Sequence, residues 1–164
     1  MSEDRNSAEG QAVRLERANQ QLAALLGRPD VAARLGAASA DEWSTVQVLG
    51  HMIELVSYWT GAIQAIAVST GEPPRFGRTI DAPERLAAVA HGAASESDAL
   101  LQELEGAITS AAGRIRAMTP AQRARTGLHN RLGEITVANA LNELVVDHVE
   151  AHVTQIQQTL GVPG

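Results

Sequence analysis

Three histidines are spaced so that a helical chain could bring their rings together: His51 in one apolar periodic segment, and His148 with His152 in another. Positions four apart lie roughly 40° apart around a helix and roughly 6 Å along it, so both rings of the second segment can reach one metal ion. The chain has no cysteine. Thiolate and iron-sulfur ligation are therefore excluded, and imidazole becomes the candidate ligand. Zinc and other borderline divalent ions favour neutral imidazole nitrogen, and three protein ligands leave a position open for water or substrate. An ion held that way acts as a Lewis acid, acidifying water and polarising a carbonyl or thiol. A single histidine on an apolar face, or a lone H-x-x-x-H, is equally compatible with a hydrogen-bonded core residue. Three inward-facing imidazoles among few other polar groups need a shared partner.

The nearby carboxylates are less telling. His148-Val149-Glu150-Ala151-His152 resembles the zinc-protease pattern H-E-x-x-H, but its glutamate stands two residues after the first histidine and so points nearly opposite the pair. Asp147 and Glu143 fall on the polar face, where solvation is their expected role. Glu54, one turn after His51, is the better candidate for a base or for orienting a ligand, against the ordinary reading of a solvated helix carboxylate. His91 and His129 have no helical register with the triad, although His129 could line a pocket mouth. Arg75, Arg78, Arg125 and Arg131 occupy loops where an anion could be gripped, but exposed arginine is ordinary and none is given a role. The two Trp and Tyr58 read as packing.

Four long helical segments must position these groups. The first spans residues 11 to 26 and stops at Gly27 and Pro29. A mixed stretch, with a short turn around Val31 to Leu35, ends in Ala40-Asp41-Glu42-Trp43. Ser44 with Gln47 forms a capping box that opens the second helix, which runs to about Ser69 with a stripe of Val48, Met52, Leu55, Trp59, Ile63 and Ile66. His51 lies at the edge of that stripe. Residues 70 to 80 form a crossing loop rich in Gly and Pro. Asp81, Pro83 and Glu84 then begin a third helix reaching about Met118, with Gly92, Gly106 and Gly113 along it. Thr119 with Gln122 opens a short turn, and residues 123 to 134 look irregular. Thr136 caps the fourth helix, which carries Ala138, Leu141, Val145, Val149, Ile156 and Leu160 and closes at Gly161 before Pro163. The pattern predicts one all-α, four-helix domain over residues 1–164, its first ten or so residues a flexible tail.

Composition narrows the function. The net charge of −6 argues against a nucleic-acid surface. No run approaches the roughly 20 apolar residues of a membrane span, and the polar N-terminus lacks an apolar leader, so a cytoplasmic, soluble protein is expected. All thirteen basic residues are Arg, which removes lysine chemistry.

Several short motifs in order complete the reading: Trp43-Ser44, then Val48-Leu49-Gly50-His51-Met52-Ile53-Glu54, then Gly133-Glu134-Ile135-Thr136 leading to Asp147-His148-Val149-Glu150-Ala151-His152-Val153-Thr154-Gln155-Ile156. Across roughly residues 11 to 160 the chain resembles the DinB/YfiT-like superfamily. The resemblance implies an up-down-down-up bundle with a long crossover, and a divalent metal, nickel or zinc, on His51, His148 and His152. It also implies dimerisation through bundle helices. Characterised members include enzymes that use low-molecular-weight thiols, such as mycothiol-dependent maleylpyruvate isomerase and bacillithiol S-transferases, and YfiT-like members have been called metal-dependent hydrolases. Isomerase-like members tend to carry a carboxylate where this chain has His148, and that isomerase carries a C-terminal domain beyond the bundle where this chain is expected to end. Both departures count against that particular reaction. The expected function is a metal-dependent S-transferase in which the ion lowers the pKa of a thiol such as mycothiol and presents it to a small electrophile. The alternatives are a hydrolase using water at the same ion and a non-catalytic, metal-stabilised binding or stress-response module.

Overall fold

A computed structural model describes residues 5–37 and 42–163. Ser7 caps α1 (Ala8–Leu26) by accepting from the Gly10 N–H at 2.9 Å, so the helix begins three residues earlier than its apolar pattern suggests. The stretch expected as a flexible tail, and Ala40-Asp41 after the first helix, lie partly or wholly outside the described residues. A single turn, α2 (Pro29–Ala32), follows. The Ser44–Gln47 box is fully formed at the start of α3 (Thr45–Ala67), with the hydroxyl accepting from the Gln47 N–H and the Gln47 amide oxygen accepting from the Ser44 N–H.

The expected third helix is two. After a chain crossing that includes β1 (Arg75–Phe76), α4 (Pro83–Ala93) ends at Ala94, and α5 (Ser97–Ala117) begins afresh behind an extended Glu96. The Ser95 hydroxyl donates to the His91 carbonyl at 2.6 Å, competing with the helical ladder, and Asp98 favours a new N-terminus in the first turn of α5. Asp81 does not cap α4; it accepts from the Thr79 hydroxyl, and Ala82 stands at the N-cap without a side-chain bond.

Residues 123 to 134 are also more ordered than their sequence suggests. After α6 (Pro120–Ala124), β2 (Thr126–His129) pairs antiparallel with β3 (Gly133–Thr136), Thr126 opposite Thr136 and His129 opposite Gly133. The loop residues of β1 join β2 in parallel, Phe76 beside His129. The last rod comprises α7 (Val137–Leu141), a π-helical turn (Asn142–Val146) and α8 (Asp147–Leu160), closed by Gly161 in the left-handed conformation at φ 65°.

Helices α1, α3, α5 and α8 pack against one another around one core. Its largest fully buried side chains include Leu15 and Leu22 from α1, Leu49, Met52, Leu55 and Ile63 from α3, Leu100, Leu104, Ile108 and Ile115 from α5, and Ile156 from α8. This is the bundle expected from the periodicity, with a small three-stranded sheet at its side. No helix among the described residues is long and apolar enough to cross a membrane.

Candidate metal centre

The core face of α3 delivers His51, which is 3% exposed, and α8 delivers His148 and His152, both partly buried. One ring nitrogen from each lies within 4.8 Å of the others. The rings of His148 and His152 stack at 4.8 Å, and His51 meets them edge-on at 5.8 and 4.9 Å between centroids. Around a tetrahedral ion with metal–nitrogen bonds of about 2.1 Å, ligand atoms stand roughly 3.4 Å apart. The widest pair must close by about 1.4 Å, which rotation about the histidine side-chain torsions, χ2 above all, allows.

The donor set suits an ion. Burial first, and then the positive charges of neighbouring His and Arg side chains, push His51 down to about 3, and burial with repulsion from His152 pushes His148 to about 4. Burial also lowers His152. At neutral pH the three rings are neutral and offer lone pairs. The His152 Nδ1–H donates to Gln155 Oε1 at 2.7 Å, which leaves Nε2 deprotonated, and that buried Nε2 has no partner in the protein. His51 Nδ1 is buried and unpartnered as well. The His148 ring hydrogen-bonds the backbone of Leu144, inside the π-helical turn. Rings fixed at one nitrogen and bare at the other are how protein-bound metals are usually held.

The turn before His148 is itself fastened. Arg14 of α1, whose side chain is 10% exposed, donates to Asn142 Oδ1 at 2.8 Å, to Asp147 Oδ1 at 2.6 Å and to both oxygens of Glu150. The Asp147 N–H reaches the Asn142 carbonyl five residues back, while the Asn142 side-chain amide donates to the Asp147 carboxylate. Asp147 is therefore not simply solvated, as its place on the polar face suggests; α1 pins it. Glu150 does face away from the triad. Glu143 is exposed, as expected.

Glu54 forms a two-pronged ion pair with Arg78, both side chains largely buried, and Arg78 lies 3.8 Å over the Tyr58 ring. It makes no hydrogen bond to the triad among the described residues. His91 is exposed and pairs with Glu103. His129 is buried between Trp59 and Phe76, its Nδ1 accepting from the Arg131 and Leu132 N–H groups. Arg125 donates to Ser69, while Arg75 and Arg131 stay exposed.

Two neighbours of the triad escaped the sequence reading. Gln155 stands three residues after His152, a spacing that could have revealed it. Trp43, read as packing, sets its ring edge-on to His51 at 5.3 Å, and with Gln155 it lines a cavity of about 360 Å³ completed by Glu42, Gln158 and Thr159. Arg85 of α4, over Trp43, carried no sequence signal at all.

The fold is a helical bundle in which three histidines meet, and comparison with known proteins identifies its family. The chain belongs to the DinB superfamily, whose family model matches residues 14–156. No curated protein matches it. Among solved structures the fold is similar to the mycothiol-dependent maleylpyruvate isomerase, at 15% identity and a TM-score of 0.68 over 91% of this chain and 60% of that one. A histidine-to-alanine variant of the same isomerase matches over 96% and 62%, at 13% identity and a TM-score of 0.69. The chain thus spans about three fifths of the isomerase's length. It is also similar to YfiT from Bacillus subtilis, a probable metal-dependent hydrolase with an unusual four-helix bundle topology, at 20% identity and a TM-score of 0.66 over 94% of this chain and 90% of that one.

Proposed function

We propose that the chain is a divalent-metal-dependent enzyme whose ion is held by His51, His148 and His152, and that it transfers a low-molecular-weight thiol to a small electrophile. The observation that supports this most is the convergence of three imidazoles, two of them with buried nitrogens that find no partner in the protein. Bound there, zinc or nickel would act as a Lewis acid that acidifies a thiol or water ligand. The protein's own part is orientation and exclusion: Gln155 and the Leu144 backbone fix two rings, and Trp43 covers the third. With neither Cys nor Lys, the chain has no side-chain thiol or amine nucleophile, and in this reading a co-substrate supplies the nucleophile.

The choice between thiol and water turns on Glu54. Committed to Arg78, it is not free to take a proton at the triad, and no other carboxylate bonds to those rings among the described residues. A thiol ionises near pH 8.5, whereas water requires a far larger shift, so the thiol is the nucleophile that manages without a base. We assign Glu54 instead to holding Arg78 against Tyr58. The up-down-down-up order of the rods belongs to the same reading. Hydrolysis is the second reading, favoured by the likeness to YfiT over nearly its full length.

Metal-loaded protein incubated with 1-chloro-2,4-dinitrobenzene and with 4-nitrophenyl acetate, each with and without a low-molecular-weight thiol, separates the readings. The proposal expects conjugate only when thiol is present. Ester turnover without thiol would replace the transferase with the hydrolase, and no turnover in any arm would leave a non-catalytic metal-binding module.

A further inference from the structure

We infer that Arg85 is a recognition residue for a carboxylate carried by the substrate bound at the histidine triad, a deepening that rests on the metal-enzyme reading above. Its position is built into the fold. Helices α3 and α4 cross at two glycines, and a Cβ on Gly50 would meet the Ala88 carbonyl at 2.3 Å while one on Gly92 would meet that of Val46 at 2.2 Å. Only glycine permits this approach, one residue away from His51. The same crossing holds α4 beside Trp43, with the Arg85 guanidinium 4.9 Å from the Trp43 ring centre and that ring 5.3 Å from His51.

Among the described residues Arg85 makes no ion pair, as is true of the partly buried Arg123 and Arg125, but of these three only Arg85 stands over the Trp43 ring that meets His51. Arg14 and Arg78 are each bonded to carboxylates, and so is the more exposed Arg116. Arg85 donates one N–H to the Ile80 carbonyl at 2.8 Å, and its remaining donors meet no protein acceptor among the described residues. Glu42, which lines the neighbouring cavity, makes no ion pair with it. The planar fork of the guanidinium matches a carboxylate in two-pronged fashion.

The charge balance of the centre points the same way. Three neutral imidazoles leave the two positive charges of a bound ion uncompensated, and Arg85 adds a third whose field reaches all three rings. Among the described residues no carboxylate bonds to the triad to offset them. The complement to such a site is a small molecule with two negative groups, a thiolate at the ion and a carboxylate at Arg85. Two sources supply the second group: the thiol itself, or the electrophile that it attacks.

The test uses full-length cobalt-loaded protein, with thiolate-to-metal charge-transfer absorption as the readout, and compares 3-mercaptopropionate with its methyl ester in wild type, Arg85→Ala and Arg85→Lys. Succinate binding is followed in parallel by calorimetry. We expect the anionic thiol to bind at least about tenfold more tightly than the ester in wild type, the preference to fall below about twofold in Arg85→Ala, and Arg85→Lys to recover part of it. Cobalt content and thermal melting should be the same in all three. If the anion belongs to the electrophile, the two thiols bind alike and succinate loses about tenfold in Arg85→Ala without displacing the thiol. If neither thiol gives the absorption band, the thiol reading fails, and Arg85-dependent succinate binding still upholds the inference. Arg85→Ala binding every probe as wild type does, or losing the ester and the acid equally, would overturn it.

Discussion

Two groups of buried imidazole lie along α3, about two helical turns apart, and their use differs. At one end His51 meets His148 and His152; further along, His129 packs on Trp59 and Phe76. Burial lowers the basicity of all four. His129, however, spends its Nδ1 lone pair on the Arg131 and Leu132 N–H groups, which places its proton on Nε2 and leaves nothing to offer an ion. It serves the hairpin, satisfying the N–H groups of a tight turn. In the triad the arrangement is inverted, with the bonded nitrogen of His152 pointing outward to Gln155 and the bare one inward. Burial and depressed basicity do not mark a site. Lone pairs converging on one point do.

Removing a triad ring should have the largest effect. His152→Ala is expected to weaken divalent-metal affinity by more than about a hundredfold, beyond the usual loss from a supporting residue, read by competition with a chromogenic chelator. His129→Ala should leave that affinity within about twofold, by the contrast drawn above.

The pH dependence of metal-free protein comes next. Because His51 and His148 have folded values of about 3 and about 4, below the unfolded value of 6.5, the unfolded state binds more protons between those limits. Stability is therefore fully present above about pH 6.5 and declines as pH falls toward 4, at up to about 1 kcal/mol per pH unit for each ring after allowance for partial solvent access. Thermal melts at pH 7.5 and 5.0 check this. Saturating metal at about 100 times its Kd should add about 2.7 kcal/mol at neutral pH. A melting temperature that stays flat over this range would remove the triad from the stability balance.

His129→Ala should cost about 3 kcal/mol through lost packing and two unsatisfied backbone N–H groups, a fall of roughly 6–12 °C in melting temperature for a domain of this size. The smallest effect is expected from Arg14→Ala. Asp147 and Glu150 are 46% and 39% exposed and can turn to water, so about 1–2 kcal/mol of stability is lost. Metal affinity should drop by up to about tenfold as the π-helical turn before His148 loosens. A metal affinity unchanged in that variant would show that α1 does not help to aim the ring.

The helical half of this comparison was legible in the sequence and the hairpin half was not. Ser44 with Gln47, Thr136, and Gly161 before Pro163 are local signals, and the 3.6-residue period alone places His51, His148 and His152 on inward faces. The sheet depends on pairing residues 75–76 with 128–129, some fifty positions apart, and short strands such as Thr-Gly-Leu-His hold too little alternation to show it. The break between α4 and α5 occurs at Ala94-Ser95-Glu96 without Gly or Pro, so propensity ran on through it. The partners of Arg14 and Glu54 and the position of Arg85 are tertiary facts. Solvated carboxylates were the natural expectation at Asp147 and Glu54 because a sequence shows faces of helices and not what packs on them.

The central claim is that three imidazoles share one ion. It is tested most directly by elemental analysis of full-length protein purified without a histidine tag, alongside the His51→Ala and His148→Ala variants. The account predicts about one equivalent of zinc or nickel per wild-type chain and close to none in either variant, both variants remaining helical. Wild-type protein that takes up no divalent metal, or variants that retain it at the wild-type ratio, would contradict it.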